Sequence, residues 1–65
     1  MLKNRSKITI KGLNQEKIIN TLIKNVKVFN FKRENGQISH FEIDYKDRKR
    51  VKKFLLKQKI EILYF

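Results

Sequence analysis

Sixty-five residues make one small domain, and a chain of this size buries only about 60% of the surface its unfolded form exposes, so its stability margin is thin. It has no cysteine, which excludes disulfides and thiolate metal sites, and 17 Lys and Arg face six Asp and Glu for a formal net charge of +11. The longest apolar run, Ile62 to Phe65, is far below the roughly 18 residues that span a bilayer. The first ten residues have no continuous apolar core, so no signal peptide is read there. A cytoplasmic chain is expected, lying at the inner face of the membrane if it belongs to a longer protein.

In chain order, residues 1–6 are expected to form a flexible tail within this single domain. Lys7 to Lys11 alternates with period two and reads as a strand with Ile8 and Ile10 on one side. Gly12, Leu13 and Asn14 form a turn, with Asn14 suited to cap a helix and Leu13 and Ile18 placed to staple its first turn. Ile18, Ile19, Leu22, Ile23 and Val26 recur at helical spacing, and Asn25 can end the helix in a left-handed conformation. Val26 to Arg33 reads as a second strand and Gln37 to Tyr45 as a third. Between them Asn35-Gly36 signals a two-residue type I′ hairpin turn. Asp44 or Asp47 caps a second helix that buries Val51, Phe54 and Leu55, and Lys59 to Phe65 closes the chain as a fourth strand. The order βαββαβ predicts an α+β, ferredoxin-like fold: a four-stranded antiparallel sheet with both helices on one face.

A two-residue turn sets Glu34 opposite Gln37, and every pair further out follows from it. Val28 then meets Ile43, Val26 meets Tyr45 and Asn30 meets Phe41, forming a core with Ile8, Ile10, Ile60 and Ile62. The opposite set pairs Phe29 with Glu42, Phe31 with His40 and Arg33 with Ile38. On this reading Lys7, Lys11, Phe29, Phe31, Arg33 and His40 lie together on the open sheet face as a contact surface. Aromatics among basic residues are the arrangement that stacks single-stranded bases. A β-bulge, however, would turn Phe29 and Phe31 the other way. If exposed, Phe29, Phe31, Ile38, Leu63 and Phe65 form an apolar patch through which a homodimer is expected.

No catalytic constellation is visible. His40 is the single histidine, and without cysteine or a carboxylate pair at ligand spacing it predicts no metal site. No Ser or Cys nucleophile stands at a recognisable distance from it. "RENGQ" holds one glycine and reads as a turn, not a phosphate loop. No enzyme, cofactor or small-molecule substrate is expected.

The stretch "KDRKRVKKFLLKQK", residues 46–59, carries eight basic side chains and one acid, Asp47. At about 100° per residue, with Val51, Phe54 and Leu55 inward, Lys46, Lys49, Arg50, Lys53 and Lys57 spread over the outer face. Arg48 and Lys52 lie nearer the flanks, where their stems cover the core. Cations towards the helix end suit the macrodipole, yet outward cations without an i,i+4 acid repel one another by a few tenths of a kcal/mol per pair. Leu56 also points partly outward. Together with a pI of about 10.3, this basic ridge, including Lys52, predicts a non-catalytic module that contacts nucleic-acid phosphates. An anionic membrane surface suits the same charge, and Leu56 suits a protein partner. Against these stands a compositional reading, since Lys, Asn and Ile abound along the whole chain.

Residues 7–33, "KITIKGLNQEKIINTLIKNVKVFNFKR", and 40–63, "HFEIDYKDRKRVKKFLLKQKIEIL", resemble the amino-terminal domain of the sporulation protein YqfD family. The shared features are the strand ending in Gly12, then Glu16, the "IINTL" helix, an Asp opening a basic second helix, and a closing strand of Lys and Ile. The resemblance implies a cytoplasmic, non-catalytic protein-interaction domain in sporulation-linked assembly, followed by a basic linker and a transmembrane helix. This sequence departs from that pattern by ending at Phe65, as an excised domain or a free-standing relative would. Lys46, Lys49, Arg50 and Lys53 fall on a loosely basic stretch of the family.

Overall fold

A computed structural model describes residues 4–65. Its elements are β1 (Arg5–Lys11), α1 (Gln15–Asn25), β2 (Val28–Arg33), β3 (Ile38–Asp44), a 3₁₀ turn (Tyr45–Asp47), α2 (Arg48–Leu56) and β4 (Glu61–Tyr64). The strands form one antiparallel sheet in the order β2-β3-β1-β4, and the fold is ferredoxin-like, βαββαβ. Ile8 and Ile10 of β1 and Phe41 and Ile43 of β3 meet Ile18, Ile19 and Leu22 of α1 and Val51 and Leu55 of α2 in one buried cluster. Period two in the strands and 3.6 in the helices each supply one apolar side, and stacking those sides makes the core.

The expected tail is shorter than residues 1–6. Arg5 and Ser6 pair with Asp44 and Ile43, and the Tyr45 amide donates to the Asn4 carbonyl at 2.9 Å, because the last residues of β3 need ladder partners. The remainder of that expectation, residues 1–3, lies outside the described residues.

The start of α1 also differs from expectation. Asn14 occupies the capping position but is left-handed (φ 60°) and its side chain makes no capping bond. Leu13 is 68% exposed, so no staple forms with Ile18. Gln15 ties this end down instead. Its buried amide donates to the carbonyls of Gly12 and Gln37 and accepts from the Ser39 hydroxyl. A side chain at Gly12 would press on Ile60, whose Cγ2 lies 2.9 Å from the Cβ position, so the β4 approach requires glycine there. At the other end Asn25 is not left-handed; its amide donates to the Thr21 carbonyl at 2.7 Å.

The hairpin corrects the expected register. The Glu34 amide donates to the Ile38 carbonyl at 2.9 Å, so the loop has three residues, 35–37, not two. Asn35 Oδ1 accepts from the amides of Gln37 and Ile38 at 2.8 and 3.0 Å, an Asx turn that satisfies the loop without positive φ at Asn35 or Gly36. A bulge at Asn30 (φ 52°) absorbs the extra residue. Below it, Val28 with Ile43 and Phe29 with Glu42 pair as expected; above it, Lys32 meets His40 and Arg33 meets Ser39. Asparagine is among the few residues that tolerate this left-handed geometry.

Three residues expected on the apolar side lie outside the core, and Ile23 of α1 is one, 54% exposed. Asn30 is exposed as the bulge residue, and Tyr45 is 57% exposed because the chain leaves β3 for the 3₁₀ turn after Asp44. Asp44 and Asp47 both precede helical turns, yet neither makes a side-chain cap bond. Phe65, expected in an exposed patch, packs against the core with Ile60 and Ile62.

Candidate functional site

On α2, Val51 and Leu55 are buried and Phe54 is half-buried, which sends the opposite side of the helix to solvent. Lys46, Lys49, Arg50, Lys52, Lys53 and Lys57 are all exposed there. Asp47, nearly buried at the helix base, accepts from Arg50 Nη2 at 3.3 Å. The acid therefore sits at i,i+3, a spacing that a search for i,i+4 partners misses, and Arg50 is a partly neutralised member of the ridge. Among the described residues the five lysines have no carboxylate within ion-pair distance. Leu56 follows at the end of the helix, 67% exposed.

Arg48 has a different task. Its Nε donates to Ser6 Oγ at 3.1 Å, and its guanidinium lies 5.0 Å from the Tyr45 ring and 5.4 Å from the Phe65 ring. These contacts fasten α2 to β1 and to the chain end. Lys52 Nζ lies 5.9 Å from the Phe65 ring, so its stem covers the same corner as expected of a flank residue.

The other candidate surface is the open side of the sheet. Because Ile8, Ile10, Phe41 and Ile43 face the helices, alternation turns Arg5, Lys7, Thr9 and Lys11 of β1 outward beside Asp44, Glu42, His40 and Ile38 of β3. Phe29 is on this side, but the Arg5 guanidinium lies over its ring at 3.9 Å, so the face a base would stack on is already covered. The bulge moves Phe31 and Arg33 off the surface on which Lys7, Lys11, Phe29 and His40 remain. Lys32, paired with His40, takes the outward position instead. Arg33 turns to the helix side and reaches Glu16 of α1 at 3.9 Å, an exposed ion pair of little energetic weight. Phe31 is 40% exposed and outside the core cluster.

Pairing gives His40 neighbours that spacing alone does not reveal. Its Nδ1 lies 2.9 Å from Thr9 Oγ1 and its Nε2 3.1 Å from Glu34 Oε1. A carboxylate only accepts, so Nε2–H donates to Glu34, while Nδ1 shares a hydrogen bond with the Thr9 hydroxyl. Thr9 is 31 residues away in the chain, which is why it was invisible as a partner. A shallow hollow of about 420 Å³ adjoins them, lined by Lys7, Asn30, Lys32 and Glu42 among others. Its mixed charges and open shape form no enclosed reaction chamber. Among the described residues, no group of three or more His, Asp or Glu could hold a metal ion, and no helix is long and apolar enough to cross a membrane.

The two surfaces differ in charge. Among the described residues the open face carries Arg5, Lys7, Lys11, Lys32 and, next to Val28, Lys27 against Glu42, Asp44, Glu61 and the His40-bound Glu34, so its charges nearly balance. Among the described residues most of the positive excess therefore lies off this face, much of it along residues 46–57. No protein-family model matches the chain, and neither a curated protein nor a solved structure matches it.

Proposed function

We propose that this protein is a non-catalytic binding module whose second helix contacts the phosphates of nucleic acid. The carrying observation is the outer side of the 3₁₀ turn and α2, where Lys46, Lys49, Lys53 and Lys57, with Lys52 on the flank, stand exposed with no carboxylate partner among the described residues. Like charges at helical spacing destabilise an isolated helix by about 0.2–0.5 kcal/mol per pair. A polyanion removes that repulsion and releases its own condensed counterions, which adds favourable entropy. The ridge holds no set of Arg, Asn and Gln arranged to read base edges, so the contact is electrostatic and tolerant of sequence.

Titrating a labelled DNA duplex at several salt concentrations tests this. Five phosphates neutralised give a slope of log K against log salt near about −4.5. A slope near zero, or no binding at low salt, removes the reading. Leu56 favours a second reading, in which the same ridge lies on an anionic lipid leaflet and the leucine enters the headgroup boundary. Under it, vesicles rich in anionic lipid bind while DNA competes poorly, and Leu56→Ser weakens vesicle binding alone.

A further inference from the structure

We infer that the open sheet face pairs with the same face of a second copy of this chain. The two central strands carry opposite charge at matching heights. On β1 stand Arg5, Lys7 and Lys11; on β3, beside them, stand Asp44, Glu42 and Ile38. Consider a two-fold axis lying in the interface and running along the boundary between β1 and β3. It carries β3 of one copy over β1 of the other without changing height. Asp44 then faces Arg5 of the second copy, Glu42 faces Lys7, and Ile38 lies on the aliphatic stem of Lys11. His40 meets Thr9 at the centre. Each contact occurs twice, as an isologous interface requires.

Three observations favour this occupant over others. Glu42, Asp44, Lys7 and Lys11 make no ion pair within 4.0 Å inside one chain, among the described residues, so these charges are free to pair across an interface. A polyanion on this face would meet Glu42 and Asp44 on a central strand. Finally, a second copy docking on the α2 ridge would set its cations against their own kind, whereas this face nearly balances its charge among the described residues. Sheets stack about 10 Å apart, a gap that facing lysine and glutamate side chains bridge. The pairing leaves both α2 ridges outward, on opposite sides of the dimer, and it does not depend on what those ridges bind.

Sedimentation equilibrium over a wide concentration range, at low and high salt, tests the inference. The mass should rise from 7.9 kDa towards twice that value, and salt should oppose the rise. Two variants, Arg5→Glu with Lys7→Glu and Glu42→Lys with Asp44→Lys, should each stay monomeric, while their equimolar mixture recovers the dimer. If loss of the Arg5–Phe29 contact unfolds the first variant, Lys7→Glu and Glu42→Lys provide the same complementation. A wild-type mass of 7.9 kDa throughout, a dimer that neither variant disturbs, or a folded mixture that remains monomeric would each overturn it.

Discussion

The outer face of α2 and the open face of the sheet both show rows of Lys and Arg to solvent, yet they present different fields. On α2 the 3.6-residue period collects cations from residues 46–57 on one side, where the only nearby acid is Asp47 at the base. On the sheet, each cation of β1 lies beside a residue more than 25 positions away, so Arg5 stands next to Asp44 and Lys7 next to Glu42. The charge count of a segment describes a helix face well, because neighbours on that face are neighbours in the chain. It describes a sheet face poorly. Here the difference separates the surface we propose for a polyanion from the one we propose for a second copy.

Reversing Lys46, Lys49, Lys53 and Lys57 to Glu should have the largest effect. The four sites lie off the Val51–Phe54–Leu55 stripe and leave the Asp47–Arg50 pair intact. Circular dichroism should be unchanged while DNA binding disappears at physiological ionic strength. If the folded variant binds DNA as the parent does, the ridge is merely solvated and the two faces do not differ in function. The same four reversals should leave the self-association expected of the sheet face in place or strengthen it.

Gln15→Ala acts on stability instead. It removes the donor to Gly12 and Gln37 and the acceptor for the buried Ser39 hydroxyl, and unsatisfied buried polar groups cost about 1–3 kcal/mol. Urea unfolding should show a loss of that size, a serious fraction for so small a domain. DNA affinity of the folded fraction should not change, which makes this variant a control for effects that come from stability alone.

A smaller effect is expected of Phe29→Ser when read by DNA titration. A phenylalanine that stacks on a base would lose about 1–3 kcal/mol of binding. With Arg5 already over its ring, the expected change is under about 0.5 kcal/mol, as for surface positions remote from a binding site. A larger loss in a folded variant would give the sheet face a part in nucleic-acid binding.

Asn30→Gly should change least. Glycine relaxes the positive φ but loses more entropy on folding, so the net effect on stability stays below roughly 1 kcal/mol. The pairing of Lys32 with His40, followed by NMR contacts between the strands, should persist. A return to pairing of Phe31 with His40 would show that the bulge depends on asparagine rather than on the three-residue loop.

The order of elements, the ferredoxin-like fold and the basic ridge were all readable in the sequence, because each follows from local periodicity. Ile8 and Ile10 mark a strand, Ile18, Ile19 and Leu22 a helix, and Val51, Phe54 and Leu55 define by difference where the cations point. The ends of elements were less readable. The left-handed Asn14 leaves the end of α1 to Gln15, whose partners at Gln37 and Ser39 are brought to it by the hairpin.

The hairpin itself was decided by the folded chain. Asn35-Gly36 reads as a two-residue turn, but the Asn35 side chain satisfies two amides and favours a loop one residue longer. That single residue moves every later pair, and the bulge at Asn30 restores the expected pairing only from Phe29 downward. Between loop and bulge, Phe31 and Arg33 lose the open face and Lys32 gains it. Composition and spacing are properties of nearby residues and survive any register. Which side chain a strand presents, which residues His40 touches and whether a face is charge-balanced depend on pairing between distant segments, where a slip of one residue exchanges the two sides of the sheet.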